Sequence, residues 1–456
     1  MFDHATLTTR YLHEVARRGE TAGDLLALMP TTGILAARYG KNYLPRPVFL
    51  GHDEATRVNS DLWHVRAALL SLPGLLYDGD LTAFARAAGL AGPQIDVVRR
   101  APAGPPTAWV RADMYPAAEG LRMMEFNMGS GIAGSDSGEV CRAMLRYPPL
   151  REFARAHRLH WLDTMREQVR LIFAESGFAP GSRPTIGLAV WPELFQRIGP
   201  YMHKVSRRWR AAGLDAHAGH LGQFKVHDGR VWLRGRPVDI IFRTFLIENL
   251  LVPGGAELVL PLLDAAARGE VAMFTSIESD LYGSKALLAM LSDHASRHLF
   301  TPAQQAAIDR VLPWTRLVRP GPVTLDDGSV ADLLDYALAH PHDLVLKPAL
   351  LHGGIGVLPG WHPDTTEGVW RDALAGAMGA PYVLQRRIRV VPELAPGESG
   401  EPVPWETTWG IFPRAESLGG VYVRAFRSDA KMAVTQYGPH IRSTGGLVER
   451  DPAASG

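Results

Sequence analysis

Apolar positions recur at three- and four-residue spacing over 12–18, 25–29 and 60–72, so the first hundred residues are expected to be mostly helical. APAGPP at 101–106 breaks that pattern. Two short strands are then expected, TAWVRADMY (107–115) and LRMMEFN (121–127), separated by PAAEG. A glycine-serine loop, MGSGIAGSDSG (128–138), leads into a helical stretch reaching about Glu175. From TIGLAVW (185–191) the pattern becomes strand, helix over 201–212, strand over 215–220, which predicts a β-α-β unit. Asp228-Gly229 between alternating segments predicts a hairpin. VDIIFRTF (238–245) reads as a buried strand, and strands alternate with helices from 271 to 391. WETTWGIFP (405–413) and GVYVRAFR (420–427) are two late strands, and the Gly-, Ala- and Ser-rich end is expected to be loose. The pattern predicts a mixed α/β fold with a large antiparallel component.

Composition narrows the function classes. The chain has 456 residues, and roughly 150 residues per domain implies about three packing units. With 46% hydrophobic residues it has material for buried cores and is not a disordered or collagen-like chain. Lys plus Arg number 48 against 47 Asp plus Glu, so net charge gives no reason to expect nucleic acid or an anionic membrane as partner. Cys141 is the one cysteine, which excludes an intrachain disulfide and a cysteine-based zinc site and suits a reducing cytoplasm. No apolar run approaches the roughly 18 residues of a membrane span, and the first twenty residues carry no apolar signal core. A cytoplasmic location and no membrane partner are therefore expected.

Chemistry concentrates in four places. In a strand, residues two apart share a face, so Arg111 points with Asp113 and Glu125 with Asn127. Pairing around a 116–120 turn would set Arg111 opposite Glu125, giving one face an arginine, two carboxylates and an amide. Such an all-oxygen set suits Mg²⁺ on nucleotide phosphates. It equally suits a solvated sheet face with one Arg–Glu pair, and both readings stay open on these residues alone. In LVLKPALLHGGIGV (344–357), Lys347 ends an apolar strand before a loop whose Gly353, Gly354 and Gly356 free backbone amides for phosphate oxygens. A plain β-turn explains that segment too. Lys285 opens the apolar helix GSKALLAMLSD, beside a possible anion site or simply exposed in its first turn. Gln385 interrupts the strand YVLQRRI, as a base-reading amide or as an edge-strand polar residue. Cys141 lacks a neighbouring base, and the histidine pairs 217/220 and 340/342 lack a zinc pattern.

In chain order these residues resemble the synthetase domain of glutathionylspermidine synthases, in the circularly permuted branch of the ATP-grasp superfamily. Arg111-Ala-Asp113, Glu125-Phe-Asn127, VDIIFRTF with Arg243, GSKALL with Lys285, LVLKP with Lys347, YVLQ, and LGGVYVRAF with Arg424 carry the likeness, which spans 107–427. The resemblance implies an ATP-grasp-like α/β fold, ATP and Mg²⁺ as cofactors, and small-molecule carboxylate and amine substrates joined through an acyl phosphate. It implies that Asp113, Glu125 and Asn127 hold Mg²⁺ and that Arg111 stabilises the transferring phosphoryl group. It further implies that Lys285, Lys347 and the glycines 353, 354 and 356 meet ATP phosphates, that Gln385 lies near adenine, and that Arg424 meets phosphate or acyl substrate. The family's cysteine-dependent amidase is not expected, because residues 1–100 hold no cysteine, and the loop after Asn127 departs from the family pattern. Glutathione and spermidine are therefore not carried over.

The expected segments are a helical N-terminal region (1–105), a metal-binding strand pair with helices (106–180), a β-α-β domain (181–275), a nucleotide-binding region (276–445) and a flexible tail (446–456). Besides the ligase, a phosphotransferase on the same scaffold and a non-catalytic nucleotide-binding protein remain as alternatives. Oligomeric state is not legible.

Overall fold

A computed structural model describes residues 3–102, 104–129, 131–427 and 440–454. Its largest element is a mixed eight-stranded sheet. From one edge the strands are Val48–Leu50, Arg442–Glu449, Gly420–Arg427, Pro402–Phe412, Val110–Ala117 and Gly120–Met128. Glu393–Pro396 also pairs with Pro402–Phe412, and Leu159–Trp161 with Arg442–Glu449. Among the named strands of the described residues, Val48–Leu50 alone pairs in parallel, extended by a parallel bridge from Tyr43 to Ser443. Inward residues Ala112, Met114, Trp409, Ile411 and Val423 are fully buried. They share a core with Leu62, Val65, Leu69 and Leu72, the apolar stripe of the helix His52–Tyr77.

A four-stranded parallel sheet follows, ordered Ala272–Phe274, Ile240–Arg243, Thr185–Val190 and Asp215–His220. The helix Pro192–Ala211 connects the last two strands. The hairpin of Phe224–His227 and Arg230–Leu233 turns at Asp228 (φ 52°) and Gly229 (φ 66°), the left-handed pair that a two-residue turn between twisted strands requires. A four-stranded antiparallel sheet, Thr315–Leu317, Tyr382–Arg386, Leu344–Pro348 and Leu358–Pro359, has its own core around Trp314, Leu346, Trp370 and Leu384. No helix among the described residues is long and apolar enough to cross a membrane.

Three expectations need correction. The helical stretch to Glu175 is instead three helices, Ser137–Met144, Pro148–Ala156 and Thr164–Glu175, interrupted by the strand Leu159–Trp161. Pro148 and Pro149 lack the N–H a continuing helix needs but suit a new helix's first turn. Next, the segments 1–105, 106–180 and 276–445 are not separate packing units, because all three contribute strands to the central sheet. Buried Arg46 of the first segment pairs with Glu393 of the third. Finally, most of the tail expected at 446–456 is not loose. Residues 446–449 belong to Arg442–Glu449, with Leu447 fully buried; a 3₁₀ turn covers Pro452–Ala454, and residues 455–456 lie outside the described ones.

Glycine there reflects crowding rather than looseness. A Cβ on Gly445 would lie 2.5 Å from Cys141 Sγ and 2.6 Å from the Ser137 carbonyl oxygen. Gly445→Val should therefore lower unfolding free energy by about 1–3 kcal/mol, the usual cost of overpacking. Denaturant midpoints identical to the parent's would mean that this segment is not a core strand.

Candidate functional site

The strand pair Val110–Ala117 and Gly120–Met128 sets the site's base. Its turn holds only Ala118 and Glu119, and its register pairs Arg111 with Asn127 and Asp113 with Glu125. Met124 is then unopposed, since Met114 pairs with Met123. This bulge and the shorter turn correct the expected Arg111–Glu125 pairing. The face survives, because directly opposed residues point the same way and Arg111, Asp113, Glu125 and Asn127 remain neighbours.

Asp113 has no solvent exposure. Arg111 donates Nε and Nη2 to its two oxygens at 2.6 and 2.9 Å, and Arg424 donates Nη2 at 2.7 Å from the strand Gly420–Arg427. Burial works against the Arg424 charge, but the Asp113 carboxylate more than offsets this and raises its pKa. Arg111 also donates Nη1 to the Ala133 carbonyl at 2.7 Å, tying the clamp to the glycine-serine loop. Ser130 of that loop lies outside the described residues.

Glu125 sits 3.5 Å from Lys285 Nζ. Burial would raise its pKa, yet Lys285, a hydrogen bond with Asp113, His352 and Lys347 outweigh it and hold the carboxyl below the ordinary range. Lys285 begins the helix Lys285–Ser292, behind the N-cap Ser284, and donates Nζ to the Leu351 carbonyl at 2.9 Å. Lys347 is buried in the strand Leu344–Pro348 and donates to Gln385 Oε1 at 2.6 Å. Burial pushes its pKa down to about 7, Glu125 opposing and Lys285 adding to the depression. Gln385 donates its Nε2 to Thr315 at 3.1 Å, so both ends of its amide are engaged, and it holds Lys347.

These groups surround two voids. One is a cavity of about 880 Å³ whose wall includes Arg111, Glu125, Asn127, Arg424, His352 and Gly353. The other is a cleft of about 1390 Å³ whose wall includes Glu125, Lys285, Lys347, Gly354 and Gln385. Glu125 lines both. The loop after Leu344–Pro348 passes between them, with Gly353, Gly354 and Gly356 at φ 70°, 81° and 72°, left-handed values that side-chain-bearing residues rarely adopt. Tyr115, Val345, Val357 and Phe426 give the cleft apolar wall, and the Arg387 guanidinium stacks 4.4 Å from the Trp361 ring beside it.

Two expected site residues are placed differently from the rest. Asp113 lies behind the cavity wall, engaged by two guanidiniums, so it positions arginines rather than presenting an open metal-ligating face. Gly356 lines neither void and packs near Pro348. Among the described residues no group of three His, Cys, Asp or Glu could hold a metal. Of the three expected donors, Glu125 and Asn127 line the cavity, which Glu248 and Asp280 line as well; Asn127 Nδ2 donates to the Arg111 carbonyl at 3.3 Å, leaving its Oδ1 to the cavity. That fits a magnesium ion completed by phosphate oxygens and water, the usual arrangement for this cation.

Sequence reasoning missed His352, Glu248, Arg38 and Tyr422, all on the cavity wall. His352 directly precedes the glycine run, a signal that was there to read. Its Nε2 stands 3.1 Å from Glu248; burial disfavours its charge, but Glu248 outweighs this and raises its pKa. Arg38 comes from the distant helix Gly33–Tyr39 and had no local signal.

No protein-family model matches this chain, and no curated protein matches it. Among solved structures, a glutathione synthetase-like effector from Globodera pallida aligns with a TM-score of 0.50 at 12% identity, covering 89% of both chains. A candidate gamma-glutamylcysteine synthetase from Methylobacillus flagellatus KT aligns more loosely, with a TM-score of 0.40 at 10% identity, covering 85% of this chain and 88% of its own. At such identities likeness speaks for fold alone. The chain shares a mixed α/β fold with the Globodera pallida effector, and glutathionylspermidine synthases are not singled out.

Proposed function

We propose that the protein is an ATP-dependent carboxylate–amine ligase, forming an amide through an acyl phosphate and releasing ADP and phosphate. One observation carries this reading: Glu125 lines both voids, with Lys285 and Lys347 on the cleft side and Arg111 and Arg424 on the cavity side. A triphosphate in the cleft would bring its terminal phosphoryl group to the place where a carboxylate in the cavity would arrive. Phosphoryl transfer asks for alignment and charge neutralisation more than for a covalent protein nucleophile. Cys141 is buried, its thiol pushed up to about 12 by burial, and it takes no part.

In the first step a substrate carboxylate oxygen bonds to the γ-phosphorus, and the bond to the bridging oxygen breaks, leaving ADP. In the second, the amine nitrogen bonds to the acyl carbon, the acyl–phosphate bond breaks, phosphate departs and the amine loses a proton to solvent. Arg111 and Arg424, held by Asp113, would stabilise the oxyanions of both steps. Lys285 and Lys347 would bind the phosphates and Gln385 would keep Lys347 aimed. The loop 353–356 would cover the junction and keep water from the acyl phosphate. Magnesium, held by Glu125 and Asn127, would neutralise phosphate charge when bound.

ADP release that depends on both an acid and an amine is the expected behaviour. A stable phosphorylated product without an amine would make the protein a phosphotransferase, and binding without turnover would make it a non-catalytic nucleotide-binding protein. Arg111→Ala should cut turnover about 10²–10³-fold, the scale of losing an oxyanion donor, with little change in ATP affinity. Comparable turnover in mutant and parent would refute the assigned role.

Lys347 gives a pH test. With a pKa of about 7 in the free protein it is mostly neutral at about pH 8, and a neighbouring polyanion would raise that value. Lys347 should therefore contribute close to one proton of uptake to nucleotide binding at about pH 8, and almost none at about pH 5.5. Calorimetry in buffers of different ionisation enthalpy measures this directly. The uptake should vanish in Lys347→Met; its absence in the parent would detach Lys347 from the phosphates.

A further inference from the structure

We propose that the cavity continues past Arg38 into a second pocket that binds an α-amino acid with a large apolar side chain, the substrate that supplies the amine. The amine role rests on the ligase reading; the binding site stands on its own geometry. This pocket, about 840 Å³, shares Arg38, Gly131, Ile132 and Ala133 with the cavity. Its body is apolar, with Met165, Leu194, Ile198, Met202, Val205 and Trp209 in the wall.

The neck is different. Asp136 is 3% exposed, and its Oδ1 accepts from the Tyr39 hydroxyl at 2.8 Å. Its Oδ2 has no hydrogen-bond partner and stands 3.5 Å from Arg38 Nε, itself without one. The Tyr201 hydroxyl is 3.5 Å from Arg38 Nη1, too long for a strong bond. Arg38 and Asp136 thus form a loose ion pair, the guanidinium set against two tyrosine rings, with one hydrogen-bonding position left open on each partner.

A zwitterion answers both needs, its carboxylate meeting Arg38 and its ammonium meeting Asp136. Arg38 and Asp136 are the only charged side chains lining this pocket among the described residues, so a second charge on the ligand would find no partner there. The geometry also assigns the role. An α-carboxylate engaged by Arg38 leaves Arg111 and Arg424, which Asp113 holds together, for the carboxylate of the other substrate. The amino group, once it has given a proton to solvent, is left as the reacting end.

Calorimetry on the full-length protein tests this without nucleotide, using L-phenylalanine and L-leucine against L-glutamate, spermidine, 3-phenylpropionate and 2-phenylethylamine. The two apolar amino acids should bind at least about tenfold more tightly than the other four, the scale of one charge-assisted contact. Arg38→Met should weaken phenylalanine binding by about tenfold or more, and Val205→Trp should block phenylalanine by filling the pocket, both with parental thermal melts. Equal binding of glutamate or spermidine, unchanged affinity in Arg38→Met, or no binding of either apolar amino acid would overturn the site. ADP release driven by other acids and amines, with no phenylalanine bound, overturns this proposal and leaves the ligase reading. Phenylalanine binding without any ADP release does the reverse: it upholds the site and overturns the ligase reading, and with it the amine role.

Discussion

Asp113 faces Glu125 across an antiparallel strand pair, and two carboxyl groups that close in a dry interior are costly unless cationic partners meet both. Much of the architecture answers that demand. Arg111 comes from the same strand as Asp113, and Arg424 from Gly420–Arg427, reached across Pro402–Phe412. Lys285 arrives at the start of a helix and Lys347 from a different sheet with its own core. The central sheet and the small antiparallel sheet must therefore meet along one seam. Neither could shift by a few ångströms without leaving a buried charge unmatched, which costs far more than the pair itself contributes.

That seam explains what could and could not be read from the chain. Two-residue spacing placed Arg111 with Asp113 and Glu125 with Asn127, because strand alternation is local and survives any register. The register itself was illegible: whether Met124 bulges depends on packing above the strand, and nothing in MMEF records it. The lysines and the glycine run announced themselves by type and position. The engagement of Asp113 by Arg424 did not, since it joins residues more than three hundred positions apart. Gly446 looked like the start of a loose end because glycine is common in loops, yet it marks close approach to Val421, as Gly445 before it does to Cys141. Val48–Leu50 was missed for a related reason: three consecutive buried residues carry no periodicity to read.

The glycine loop shows how the two voids stay distinct but adjacent. Gly353 faces one and Gly354 the other, so a single peptide unit separates them. Side chains at those φ values would be strained, and bulk there would push the voids apart. The His352–Glu248 pair ties the loop to the 3₁₀ turn Ile247–Leu251 across the cavity. Because that pair raises the His352 pKa, its contribution is full at low pH and fades as pH rises through the raised value. The loop is thus tied down by a contact that depends on pH, unlike the apolar core around it.

The charge balance at the junction points to the kind of ligand it suits. Arg111, Arg424, Lys285 and Lys347 bring four cationic groups to two carboxylates, Asp113 and Glu125. Of these groups Lys347 is the one that can give up its proton: burial chiefly, with Lys285 adding and Glu125 opposing, lowers its pKa to about 7. A neutral or cationic ligand would leave the imbalance or worsen it. A polyanion in the cleft would favour the Lys347 proton and give Lys285 a further partner. The depressed lysine is first a consequence of burial, and its place on the cleft wall beside Glu125 and Lys285 makes its proton sensitive to any charge the cleft takes in.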